Sequence, residues 1–251
     1  MAENLSSIEK AAKILIRLSK EPYEMTALEL SEELGINRST VHRILNILIG
    51  EMFVLQNPSS KKYSLGPTTY TIGTSYLHNQ NNSERIKYIL EDLAKETEQS
   101  IGYAILVEDR ILNMYEIENY QSIKIGYKSG CFYPIHCGAY GKCIMAFYEP
   151  EKKLREIVYS ADLYKKAPNT ITDPEILLDE YRKIRQQGYA ISDEDSVKGL
   201  IGVGAPVRNS RGKVVASVAV AILKGTITDD KFKEIINKAI ASANKISQLL
   251  I

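Results

Sequence analysis

The sequence lacks several features that would assign it to a class at once. Its 251 residues include 32 Lys and Arg against 31 Asp and Glu, so no overall charge points to a polyanionic partner. The longest apolar run, 214–223, is far shorter than the roughly 20 residues that a membrane-spanning helix needs. Cysteine occurs only at positions 131, 137 and 143, which excludes a disulfide-built scaffold. Because residues 1–10 are polar and unlike a signal peptide, we expect a cytoplasmic protein with no membrane partner.

Patterns typical of common catalytic and metal sites are also missing. The sequence has no Cys-x-x-Cys pair, no Gly-x-Ser-x-Gly segment and no glycine-rich phosphate loop, and it has only three histidines. We therefore expect neither an enzyme nor a cofactor or resident metal. A thiol-redox or metal sensor that uses Cys131, Cys137 and Cys143 beside His136 stays open. The simpler interpretation is that these cysteines are small buried apolar residues.

What is present is the composition of an ordinary soluble protein that is long enough for two domains. Apolar residues make up 44% and charged residues 25% of the chain. An apolar stripe at helical spacing after Ser7 indicates a first helix with Ser7 as its N-cap. Thr26 and Glu29 can cap a second helix reciprocally, and Gly35 offers a left-handed end to it. Two helices of this kind form the start of a helix-turn-helix.

A third helix and a hairpin complete this pattern. Asn37 is the expected N-cap of a helix from Arg38, whose apolar stripe is Val41, Ile44, Leu45 and Leu48. Alternating segments over 53–56 and 62–65, joined by a turn-forming stretch, predict a small β-hairpin. Three helices followed by a hairpin are the order of a winged helix-turn-helix.

The residue types on the third helix suit DNA. Arg pairs bidentately with guanine and Asn with adenine, while hydroxyls and the helix start suit phosphates. Residues 37–66 have four basic residues against one acidic, a net charge of +3, whereas residues 26–36 have a net charge of −3. The predicted DNA contacts are Asn37, Arg38, Ser39, Thr40, His42, Arg43, Asn46, Lys61 and Lys62. The alternative is a merely solvated helix face and loop tip.

The rest of the chain predicts a second, larger domain of α+β class. We expect a winged helix-turn-helix over 1–66, a linker helix within 67–83, and the second domain over 84–251. An amphipathic helix opens this domain, marked by apolar residues at helical spacing: Ile86, Ile89, Leu90, Leu93 and Ala94. Strands are predicted at 103–107, 111–117, 122–127, 189–192, 200–207 and 214–223, and further helices at about 141–148, 150–159, 173–187 and 229–250. Strands flanked by helices in this order favour an antiparallel sheet with helices packed on it.

Five segments have a recognisable sequence and order: 26–45 and 63–66 in the first half, and 134–142, 188–195 and 199–207 in the second. Together they resemble the IclR family of transcription regulators. The resemblance implies a GAF-like C-terminal domain that binds a small effector, often an organic or aromatic acid. It also implies dimers or tetramers that bind palindromic operators on double-stranded DNA.

The resemblance also places the effector. It implies binding at Ala139, Tyr140 and Gly141, at Ser192 beside Asp193, and at Gly202, Ala219 and Ala221. The turn before 142 runs into a helix start, which favours an anion such as a carboxylate. Some relatives have hydroxyl or thiol side chains at the last three positions, so this chain is expected to take a more apolar ligand or to have an altered pocket, for example one filled by the Tyr140 ring.

Three simpler interpretations remain. The small residues Gly202, Ala219 and Ala221 can serve close packing of a helix on the sheet. The acidic run 193–195 can be a solvated patch. The second domain can also serve assembly alone, with no ligand.

Overall fold

The computed structural model describes residues 6–78, 82–118 and 129–250, and the chain divides into two compact units, Met1–Asn81 and Asn82–Ile251. The strand predicted over 122–127 lies outside the described residues. Within the described ranges, no helix combines the length and apolar character needed to cross a membrane. The elements of the first unit are α1 (Ser7–Leu18), β1 (Glu24–Met25), α2 (Ala27–Leu34), α3 (Arg38–Gly50), β2 (Val54–Gln56), β3 (Tyr63–Leu65) and α4 (Pro67–His78).

Local capping explains the helices of the first unit. Thr26 and Glu29 form the predicted capping box of α2, and Gly35 ends that helix with φ at +63°, a conformation that costs glycine little. Asn37 caps α3 as predicted. The predicted cap of α1 was wrong by one residue, because Ser6 rather than Ser7 accepts the N–H of Glu9.

The predicted hairpin is confirmed, and a third strand joins it. β2 and β3 pair antiparallel, and β1 pairs with the other side of β3 through Met25 and Tyr63. A two-residue strand is too short to show a period in the sequence. The helices and this small sheet enclose one core, whose fully buried members include Ile14, Leu30 and Leu45.

The second unit is built on a six-stranded antiparallel sheet with strand order β6-β5-β4-β9-β8-β7. This confirms the predicted α+β class. Its elements are α5 (Ser83–Thr97), β4 (Ser100–Val107), β5 (Arg110–Ile117), β6 (Phe132–Tyr133), α6 (Gly138–Ala146), α7 (Glu151–Ser160), α8 (Pro174–Gln187), β7 (Ala190–Asp193), β8 (Leu200–Arg208), β9 (Val214–Leu223) and α9 (Asp229–Leu249).

Helices cover both faces of this sheet. One core joins α5 and α9 to larger residues such as Val218 and Val220. The other joins α6, α7 and α8 to the opposite face, where Ala104 and Ala219 leave room for α6. A Cβ on Gly204 would lie 2.5 Å from the Ala139 carbonyl oxygen, so this helix sits directly on strand backbone.

Two boundaries differ from prediction in a way that matters for function. Helix α6 begins at Gly138 rather than near Gly141, so Ala139 and Tyr140 belong to its first turn. Strand β4 begins at Ser100 rather than at Tyr103, because the glycine in this stretch hides the strand pattern.

Candidate functional site

Helix α3 has a polar face above an apolar underside. Val41, Ile44 and Leu45 are buried in the core, whereas Arg43 and Asn46 are exposed to solvent. The side chains that could reach a DNA groove are therefore on the face that the sequence assigned to that role.

The other predicted contacts on α3 lie in its first turns. Asn37 Oδ1 accepts hydrogen bonds from the Ser39 backbone N–H at 2.9 Å and from the Ser39 hydroxyl at 2.7 Å. Asn37 therefore caps the helix, and the Ser39 hydroxyl holds the Asn37 side chain in place. Arg38 is exposed, and Thr40 and His42 are partly exposed.

Of the two lysines at the hairpin turn, one is more available to a ligand than the other. Lys61 is exposed in the turn, whereas Lys62 Nζ lies 3.1 Å from Glu24 Oε1 on the unpredicted strand β1. Because an exposed ion pair of this kind is weak, a phosphate can still compete for Lys62. Lys61 can bind a phosphate without first giving up an ion pair of this kind.

One residue of this surface was missed by sequence reasoning. Ile47 lies four positions after Arg43 and is 63% exposed, although it is a large apolar residue. An apolar side chain in the major groove can contact the methyl group of thymine. Its position outside the buried stripe of α3 was the available signal.

In the second unit, a cavity lies between the start of α6 and the sheet. Six predicted effector residues line it: Ala139, Tyr140, Ser192, Gly202, Ala219 and Ala221. The remaining lining residues were not predicted: Ser100, Gly102, Glu116, Ser196, Leu200, Ile201 and Val220. The resemblance thus found one side of the cavity, and the strands β4 and β5 supply the other.

Gly141 and Asp193 are not brought to the cavity. A Cβ on Gly141 would lie 2.1 Å from the Pro134 carbonyl oxygen, so this glycine serves close packing of α6. Asp193 is exposed and its Oδ1 lies 2.7 Å from Lys224 Nζ.

The acidic run 193–195 is not one solvated patch, because Asp195 is buried. Its Oδ1 accepts the Gly138 N–H at 2.8 Å and the Ser192 hydroxyl, and its Oδ2 lies 2.7 Å from the buried Lys142 Nζ. Lys142 also reaches Glu180 at 3.0 Å. A carboxylate of the chain itself thus already faces the first N–H of α6.

The Tyr140 side chain fills most of the cavity. Its hydroxyl donates to Glu116 Oε1 at 3.0 Å, and a Cβ on Gly102 would lie 1.1 Å from that hydroxyl oxygen. The ring also makes an edge contact with Tyr133 at a centroid distance of 5.3 Å. The space left open is about 20 Å³, room for about one water molecule. A ligand larger than this must displace the ring.

Glu116 is the charged side chain of this cavity. Burial raises its pKa to about 7, although hydrogen bonds from Tyr140 and Asn113 act in the opposite direction. The distance from Asn113 Nδ2 to Glu116 Oε1 is 2.8 Å. Sequence reasoning missed Glu116; its acidic side chain within the largely apolar strand β5 was the available signal.

The cysteines do not form a reactive cluster. Cys137 and Cys143 are buried, and burial raises their pKa values to about 11 and about 12, which keeps both thiols protonated near neutral pH. Cys131 is exposed. In the part of the chain that the structure describes, no group of three His, Cys, Asp or Glu side chains could hold a metal ion.

Two family models match the chain. The IclR helix-turn-helix domain matches residues 7–58, and the model of the bacterial transcriptional regulator IclR C-terminal matches residues 74–248. Together they cover the first three helices and the first hairpin strand of the first unit and nearly all of the second unit; residues 59–73 lie between the two matches.

Similar proteins are transcription regulators and not enzymes. The HTH-type transcriptional regulator KdgR of Escherichia coli (strain K12) is 26% identical, over 98% of this chain and 92% of KdgR. The crystal structure of an IclR transcriptional regulator from Alicyclobacillus acidocaldarius matches with a TM-score of 0.87 at 27% identity, over 99% of this chain and 100% of that one. The Thermotoga maritima IclR structure matches with a TM-score of 0.76 at 29% identity, over 97% and 98% of the two chains.

Proposed function

Because this chain belongs to the IclR family of bacterial transcriptional regulators, we propose that its first unit reads a palindromic operator and that a small organic acid in its second unit controls this reading. The family is one of DNA-binding regulators with a C-terminal effector domain. The operator symmetry, the contact residues and the ligand class are the proposal. The observation that carries it is the exposed pair Arg43 and Asn46 above the buried stripe of α3.

For DNA, we assign base reading to the middle of α3 and phosphate binding to its start and to the hairpin. Arg43 suits guanine and Asn46 suits adenine. Arg38 at the helix start and Lys61 in the hairpin turn suit phosphates, which position the protein without reading sequence. His42, only partly exposed, lies between these two zones.

For the effector, we assign the cavity beside α6. Backbone N–H groups in the first turn of a helix attract anions, which supports a carboxylate ligand at Ala139 and Tyr140. The small side chains of Ala219 and Ala221 leave room for a ligand once the Tyr140 ring moves. Gly202 instead lets α6 pack closely on the sheet, because a Cβ there would lie 3.1 Å from the Ala139 Cβ. A ligand of this kind would be linked to DNA affinity through the state of the second unit.

A palindromic operator requires at least two copies of the chain, as a dimer or a dimer of dimers. Helix α4 supports this, because Tyr70 is 76% exposed and Ile72 is 53% exposed, and large apolar residues on one exposed helix favour burial against another protein surface. We propose a second copy as that partner. A regulator that acts on the chromosome works in the cytoplasm.

The test is DNA binding by the purified full-length chain. Fluorescence anisotropy with the intergenic fragment upstream of its own gene should show tighter binding than a shuffled fragment of equal length and composition. The measurement needs low ionic strength and then a salt series, because phosphate contacts weaken with salt. Equal binding of both fragments by folded protein would contradict operator reading.

A second candidate for the C-terminal unit is assembly alone, and the Tyr140 ring favours it by closing the cavity to about 20 Å³. Thermal-shift screening with small acids separates the two, since a ligand that binds only the native state must stabilise it. Stabilisation together with changed operator affinity supports an effector. If no acid in the screen does either, the assembly role is favoured.

A further inference from the structure

One end of the cavity holds an acidic side chain, Glu116, whereas a carboxylate ligand would bind best beside a basic one. Of the residues that line it, Glu116 alone has a formal charge, and no Lys or Arg nitrogen within the described ranges forms an ion pair with it. Glu116 Oε1 instead accepts two hydrogen bonds, from Asn113 Nδ2 and from the Tyr140 hydroxyl. This end of the cavity is therefore built to receive donors.

The other end, at the start of α6, is different. Asp195 lies there, but its charge is compensated by Lys142 at 2.7 Å and by the Gly138 N–H. The acid group of a ligand at the helix start would thus lie near a carboxylate whose charge is already neutralised by Lys142. Beside Glu116, the same acid group would lie near a carboxylate with no cationic partner among the described residues, and two acids in contact cannot both stay ionised.

Tyr140 spans these two ends. Its backbone is in the first turn of α6, and its hydroxyl donates to Glu116 on the far wall. The side chain therefore occupies the path that a ligand would take between the helix start and Glu116. A ligand that displaces the ring removes one donor from Glu116 and must replace it, because a partly buried carboxylate without its donor is costly.

We propose that Glu116 selects the effector: the ligand places a hydroxyl or ammonium group on Glu116 Oε1, where the Tyr140 hydroxyl lies, and keeps its acid group for the start of α6. The ligand class is then a small hydroxy acid or amino acid whose two polar ends are about one tyrosine side chain apart. This inference rests on the proposed effector role of the cavity. Burial of Glu116, which raises its pKa to about 7, adds to the preference for a donor over a second acid.

The probes are small acids that resemble the Tyr140 side chain, which is removed by mutation to make room for them. Tyr140→Ala in the full-length chain opens the path, and 4-hydroxyphenylacetate resembles the lost side chain with an acid group added. Its isostere 4-methylphenylacetate has a methyl group in place of the hydroxyl. Calorimetric titration should show the hydroxyl probe binding about tenfold tighter or more, as expected for one hydrogen bond to a charged group.

Variants of Glu116 identify the acceptor. In the Tyr140→Ala background, Glu116→Leu should abolish the preference for the hydroxyl probe, whereas Glu116→Gln should keep much of it, because an amide oxygen still accepts. Glu156→Leu, the same substitution at an exposed acid on α7 that does not line the cavity, is the matched control and should keep the preference. Circular dichroism and gel filtration verify the fold. If Glu116→Leu does not fold, Tyr140→Ala alone and with Glu116→Gln still carry the test.

Three results would overturn the inference: equal affinity for the two probes, a preference that survives Glu116→Leu, or no binding of either probe to folded Tyr140→Ala protein. Failure of the proposed function looks different. If no small acid changes operator affinity of the wild-type chain, the effector role fails even where the probes discriminate. If small acids release the operator with no dependence on Glu116, the effector role stands and the inference about Glu116 fails.

Discussion

The Tyr140 hydroxyl donates to Glu116 Oε1 at 3.0 Å across a place on β4 where Gly102 has no side chain. Strand pairing sets Gly102 directly opposite Glu116. The Tyr140 ring can therefore cross the sheet face and reach Glu116 only because residue 102 is a glycine and has no side chain in its way. The contact therefore couples Tyr140 of α6 to Gly102 of β4 and Glu116 of β5, all of which line the same cavity.

Gly102→Ala tests that coupling. A Cβ there would lie 1.1 Å from the Tyr140 hydroxyl oxygen, so the ring must move, and we expect a loss of about 1–3 kcal/mol in the free energy of unfolding. The loss should shrink in a Tyr140→Ala background, as measured by a double-mutant cycle in urea. Gly73→Ala on α4 is the control, because an added Cβ there would meet nothing within 4 Å beyond its chain neighbours and the backbone of its own helix; it should be neutral or slightly stabilising. An equal loss in both backgrounds would contradict the coupling.

Glu116 should make stability depend on pH. Its folded-state pKa is raised from 4.5 to about 7, so the folded chain holds a proton that the unfolded chain has released. Stability should therefore fall as pH rises between these two values and level off above them. Calorimetry should show Glu116→Gln losing this part of the pH dependence. A wild-type profile that rises through the same window, or an unchanged profile in the variant, would contradict the assignment.

The buried ion pair of Asp195 and Lys142 should dominate the stability of the α6 region. Asp195→Asn removes the more deeply buried of the two carboxylates that pair with Lys142 and weakens the cap on Gly138. Because Glu180 still pairs with Lys142, we expect a loss of up to about 3–5 kcal/mol in unfolding free energy. Asp193→Asn breaks only the exposed pair with Lys224 and should change it by less than about 1 kcal/mol. Equal losses in the two variants would contradict the expectation that the buried pair contributes more to stability than the exposed pair.

Arg43→Ala should reduce operator affinity by about 1–3 kcal/mol while affecting shuffled DNA little, because a base contact carries the sequence preference. Anisotropy titrations on both fragments at one salt concentration measure this. Lys13→Ala, an exposed cation on α1, is the control. An equal loss on both fragments would reassign Arg43 to a phosphate.

Ile72→Glu on α4 should shift the chain towards monomer and weaken operator binding, because it places a charge in the proposed contact between copies. Light scattering during gel filtration measures the oligomeric state. Thr71→Glu, exposed on the same helix but not apolar, should leave it unchanged. An unaltered assembly in Ile72→Glu would exclude this face.

The sequence by itself determined the features that depend on neighbouring residues. The capping box of Thr26 and Glu29, the turn at Gly35 and the apolar stripe of α3 depend on residues close together in the chain, so the second and third helices could be predicted nearly to their ends. The second unit's long strands were also predictable, since β8 and β9 are apolar almost throughout. The residues of α6 that we propose for the effector came from family resemblance, and the local pattern added only that a helix start favours an anion.

Only the tertiary structure decided which distant residues share a site. Lys62 meets Glu24 through a strand too short to predict, and Asp195 is buried against Lys142, although the run 193–195 looks solvated in sequence. Glu116 and Tyr140 meet because strand order sets β5 beside β4 beneath α6. Such contacts depend on where the chain folds back, and this is set by packing of the whole unit rather than by any segment of its sequence.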